Sequence, residues 1–154
     1  MQLYIADPDT LVFTAGRVLV LEWRANVTLA GMEHVQRAYD DLRARFGRGL
    51  FLFTVVRDAP VPSKEVRKVI ADFMNAGNGV FVASVAAYTA RGLRAAIVRQ
   101  VAFALALMAR TAYRHEPCDS IEAGVKWLEK NAHIQDGKEL RACLAAMGLV
   151  DAVN

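Results

Sequence analysis

His115, Glu116, Cys118, Asp119 and Ser120 stand within six consecutive positions of the run RTAYRHEPCDSIEAGVKWL. Imidazole, thiolate and carboxylate are the groups that ligate zinc, and a cysteine near a histidine could pair a nucleophile with its base. Zinc sites favour spacings such as CxxC or HxxxH and take further ligands from elsewhere. Here only His34, His133 and Cys143 could complete a set, at arbitrary spacing. Helix capping accounts for more of these residues. Pro117 ends a strand, Asp119 caps the helix that follows, and Glu122, three positions on, reaches back as its capping-box partner. Ile121, Val125 and Leu128 then form the buried stripe of that helix, with Lys126 and Lys130 facing water. The run therefore predicts a strand, a turn and a helix, with no metal site and no catalytic residue. Cys143 falls on one helical face with Leu140, Leu144 and Met147 and reads as packing.

Other polar candidates are thinner. Gly77-Asn78-Gly79 precedes a strand, the reverse of the strand-to-helix order of a dinucleotide or P-loop site, so no cofactor is expected. The turn TARGLR, Thr89 to Arg94, does follow a strand and open a helix. Arg91 and Arg94, with free backbone amides, define a candidate anion-binding turn there. Asp58 ends a central strand, where open α/β sheets place ligands, yet no second group is aimed at the same point. Asp40 and Asp41 are neighbours on a helix and point apart.

The elements that would position these groups follow from periodicity. LYIA and LVFTAG flank the turn signal Asp7-Pro8-Asp9, and RVLVLEW is a third β-rich run. Thr28 caps a helix whose apolar stripe is Leu29, Met32, Val35, Tyr39, Leu42 and Phe46, ended by Gly47 and Gly49. GLFLFTVV and VFVASVAAY lack alternation, as central strands covered on both faces do. Between them Ser63 caps a helix with Val66, Val69, Ile70 and Phe73 in line. A long helix to about Arg110, a short strand in TAYRH, the helix SIEAGVKWLEK and a tail helix from about Gly137 to Met147 complete the series. This order predicts an α/β fold: a mixed central sheet with helices packed on it, plus a C-terminal amphipathic helix. One domain is expected over 1–154, its core from about 10 to 130 and its helical extension from about 136 to 150.

Totals narrow the function. The chain has 154 residues, 55% of them apolar, which supplies a full core. Its net charge of +3 is not concentrated with exposed aromatics, so nucleic-acid binding is not expected. The two cysteines lack CxxC spacing and read as reduced cytosolic thiols. MQLYIADPDT has no basic n-region, and the most apolar run, VAFALALMA, falls short of the roughly 20 residues of a bilayer span. A soluble, cytoplasmic protein without an integral membrane segment is expected.

From about Arg17 to Leu128, the series of strands and helices ends in a short strand and S-x-E-A-x-x-x-W-L, here Ser120, Glu122, Ala123, Trp127 and Leu128. It resembles the SpoIIAA-like proteins, in the wider group that holds STAS domains and CRAL-TRIO lipid-binding domains. STAS antagonists carry an Asp-x-Ser-Gly phosphorylation motif where a central strand turns into a helix. This chain has VRDAPVPSKEV there, which brings Ser63 near the phosphosite, with Lys64 in place of the glycine and no acid two residues before. The resemblance implies a non-enzymatic interaction or regulatory module in bacterial cytosolic signalling, with a protein partner. Phe103 and Leu107 put apolar bulk on the outer sides of the long helix, as a partner or homodimer surface would, unless the tail helix covers them. The alternative is a carrier of a small apolar ligand or lipid, with Ala95, Ala96, Ala102, Ala104 and Ala106 lining its pocket.

Overall fold

The computed structural model describes residues 1–57, 60–89 and 93–151, at 93–95 and 134 for the backbone alone. The first three apolar runs form an antiparallel meander: β1 (Gln2–Ala6), β2 (Thr10–Ala15) and β3 (Val18–Trp23). The Asp7 carboxylate shapes the first turn by accepting from the amides of Asp9 at 2.9 Å and Thr10 at 2.6 Å. From β3 onward the chain alternates helix and strand: α1 (Leu29–Phe46), β4 (Leu50–Val56), α2 (Lys64–Ala76), β5 (Phe81–Tyr88), α3 (Leu93–Ala109) and β6 (Arg114–Cys118). Then come α4 (Ile121–Asn131) and α5 (Ile134–Ala146). The six strands lie in sequence order, with β3 to β6 mutually parallel. Because each parallel step goes the same way across the sheet, right-handed crossovers put α1, α2 and α3 on one face. The other face is left to α4 and α5.

The caps on α1 and α2 stand where the sequence places them. Thr28 Oγ1 accepts from the Gly31 amide at 3.0 Å, and Ser63 Oγ accepts from the Val66 amide at 3.3 Å. Met32, Val35, Tyr39 and Leu42 of α1 are buried against Leu19, Leu21 and Leu52. On the opposite face, Phe13, Val20, Phe53 and Val85 meet Val125 and Leu128 of α4 and Leu140 and Leu144 of α5. Strand residues alternate between the two layers, so β3 and β4 are apolar on both sides. Gly124 lets α4 come close: a β-carbon there would stand 2.6 Å from the Phe53 ring.

The last third departs from expectation in three places. Pro117 lies inside β6 instead of ending it, in register with Ala86. The sheet ends on β6, and a residue without an N–H is tolerated in an edge strand. The cap of α4 is Ser120, not Asp119; its hydroxyl accepts from the Ala123 amide at 3.1 Å. Glu122 turns away from the expected box to Arg141 of α5, whose guanidinium also donates to Glu129 at 2.6 Å. Burial on α5 falls to Leu140, Cys143 and Leu144, and this helix packs on α4 and β2. It lies on the face away from α3 and does not cover it.

Candidate ligand cavity

In α3, Leu93, Ile97, Val101, Leu105 and Met108 recur at steps of three or four residues, the spacing of one helical stripe. Of these, Leu105 is buried, together with Ala109, whereas Ile97 is 41% exposed and Met108 61%; Leu93's side chain lies outside the described residues. A helix apolar nearly all round carries no periodic instruction about which side to bury. Its partner decides, and that partner is mainly α2, with only a thin contact to β5. The helix thus stands off the sheet, leaving a cavity of about 720 Å³ between α2, α3 and strands β3 to β6.

Most of the lining is apolar: Leu52 and Ala86 of the sheet, Ile70 and Phe73 of α2, Ala102 and Ala106 of α3. Two polar side chains adjoin on its floor. Ser84 of β5 and His115 of β6 are partners in the parallel register, and both line the cavity. Ser84 is 7% exposed, and its hydroxyl makes no hydrogen bond with a described residue. The His115 Nε2 pairs with Thr111 Oγ1 at 2.6 Å, and its ring lies 5.0 Å from that of Tyr113. Burial holds the imidazole's pKa below its ordinary value, so the ring is neutral at pH 7. Tyr113 anchors this corner by donating its hydroxyl to the Met74 carbonyl at 3.0 Å, and burial raises its own pKa.

The structure pulls apart the polar cluster seen in the sequence. His115 reaches the cavity, Cys118 packs toward the α4 and α5 layer, Glu116 pairs with Arg114 at 2.7 Å and Asp119 pairs with Arg99. Burial, then Glu116 and Asp119, push the Cys118 thiol's pKa up, the opposite of an activated nucleophile. Cys143 is buried and likewise raised. Among the described residues, no group of three histidine, cysteine or acidic side chains could hold a metal ion. Ser63 is exposed at the start of α2. Asp58 and Arg91 lie outside the described residues, as does the side chain of Arg94. Phe103 and Leu107 are 68% and 63% exposed and rim the cavity from α3.

Sequence reasoning missed two groupings. Ser84 and His115 become neighbours only through strand register. Glu22, 1% exposed on β3, accepts from Arg24 at 2.7 Å on one oxygen and from Arg57 on the other. Both its oxygens are engaged, so it is a braced ion pair and not a free base. Comparison with family models, curated proteins and solved structures finds no match. No described helix is long and apolar enough to cross a membrane.

Proposed function

We propose that this domain binds one small, largely apolar molecule beneath α3 and does so without catalysis. The observation that carries the reading is the cavity of about 720 Å³. Small-molecule sites run to roughly 300–1,000 Å³, are mostly apolar and hold a few convergent polar groups. Close-packed interiors otherwise leave few voids larger than a water molecule. The SpoIIAA-like resemblance, which reaches to lipid-binding domains, supports the same reading. A cytosolic regulatory role would follow if occupancy changed how α3 is presented. Titration with the uncharged fluorophore N-phenyl-1-naphthylamine tests it. Wild type should enhance the dye's emission saturably, and Ala102→Trp, which fills the space below α3, should weaken binding at least tenfold. Equal binding by the filled variant would end the cavity reading.

A second reading rests on the outer face of α3, where Phe103, Leu107 and Met108 are more than half exposed. Exposed apolar groups clustered on one helix mark a surface for a protein partner or a second copy. Sedimentation of wild type against Phe103→Glu discriminates. Association in wild type that the variant loses supports docking, while identical monomers would remove the homodimer.

A further inference from the structure

We infer that the cavity selects an amphiphile bearing one uncharged hydrogen-bonding group, an alcohol, ester or amide, which Ser84 and His115 anchor. The inference rests on the cavity reading and assigns it a ligand class. Three observations carry it. First, Ser84 is more than nine-tenths buried, yet lines open space and has no described hydrogen-bond partner. Its hydroxyl therefore faces the open space and is free to meet a polar atom of a bound molecule there. Second, His115 sits in the adjacent register position on the same floor. Thr111 occupies its Nε2, and its Nδ1 makes no hydrogen bond with a described residue. Imidazole and hydroxyl side by side can offer one donor and one acceptor to the same head group.

Third, the charges around this floor argue against an ionic head. Glu116 and Arg99 line the cavity but are paired with Arg114 and Asp119. Burial keeps the imidazole neutral at pH 7. Arg110 also lines the cavity but is exposed, so its charge stays in water. An ion placed on the Ser84–His115 floor would lose its hydration with no unpaired opposite charge on that floor among the described residues to offset the loss. Beyond this polar spot the lining is mostly alkyl and aromatic, with Thr54 and the paired or exposed charges as its other polar members, which suits a largely apolar body.

Displacement of bound N-phenyl-1-naphthylamine at pH 7.5 by undecane, dodecan-1-ol, dodecanoate and dodecylammonium tests the assignment. Dodecan-1-ol should displace the dye at roughly tenfold lower concentration than undecane, the factor that one or two added hydrogen bonds supply. Ser84→Ala and His115→Phe should each shrink that preference severalfold while leaving undecane's own midpoint and the circular dichroism spectrum unchanged. Undecane and dodecan-1-ol competing equally would overturn the anchor. Dodecanoate competing best, with a loss on Arg110→Gln and none on Ser84→Ala, would also overturn it and make Arg110 the contact. Failure of the dye to bind wild type at all would defeat the cavity reading itself, an outcome separate from either.

Discussion

The two faces of the sheet are built from the same strands and end in opposite states. Where α4 and α5 cover it, packing is closed: Val125, Leu128, Leu140 and Leu144 are fully buried, and glycine at 124 lets the helix touch Phe53. An Arg141 fork to Glu122 and Glu129 then ties the two helices together. On the other face α1 packs as tightly, but α3 leans on α2 and leaves the floor of β5 and β6 open. The difference lies in the side chains offered. Toward α4 the central strands present Phe53 and Val85; toward α3 they present Thr54, Ser84 and Ala86, too small to reach a helix held away by α2. Small strand residues therefore leave open space where the opposing helix is held away from them.

The sharpest way to test this asymmetry is a matched pair of leucines. Leu128→Ala on the closed face should lower unfolding free energy by about 2–5 kcal/mol, whereas Leu107→Ala on the outer side of α3 should change it by no more than about 0.5 kcal/mol. Urea denaturation of both variants measures the contrast, and equal losses would deny that the faces differ. Next in size is Gly124→Ala. Its methyl would overlap the Phe53 ring, so a loss of about 1–3 kcal/mol is expected. Pairing it with Phe53→Leu, which relieves the overlap, should give less than the sum of the two single losses.

The smallest effect concerns the open face and pH. Because burial lowers the folded pKa of His115 from 6.5, the unfolded chain takes up the proton first as pH falls. The contribution of this histidine is present above pH 6.5 and is lost as the pH drops toward the folded value. The difference in urea midpoint between wild type and His115→Gln should therefore narrow or reverse in favour of the variant on going from pH 7.5 to 5. A difference that stays constant would mean that the imidazole is as well hydrated as in the unfolded chain.

How much could be read beforehand follows the same division. Thr28 and Ser63 announce their helices because a cap is a local event, decided by one hydroxyl and an amide three residues on. The runs LVFTAG, RVLVLEW and GLFLFTVV declare strands because their apolar, β-rich composition is local too. At Asp119-Ser120 two adjacent residues are both good caps, and the choice fell to Ser120 once Glu122 and Asp119 had arginines elsewhere to pair with. The side of α3 that is buried could not be read, since an all-apolar helix fits in several rotations. The cavity is the result of six elements failing to meet, and that leaves no mark on any one segment. Ser84 and His115, 31 positions apart, are joined only by the register of β5 and β6.

Pro117 within β6 has a consequence for how copies of this chain could meet. A sheet that ends in an open strand invites another strand to continue it, the route by which many folded chains aggregate. Here the terminal strand is five residues long, carries the paired charges of Arg114 and Glu116, and has at its fourth position a residue with no N–H to give. The ladder cannot be extended cleanly on that side. Addition of a strand from a second molecule is thereby disfavoured at this edge of the sheet.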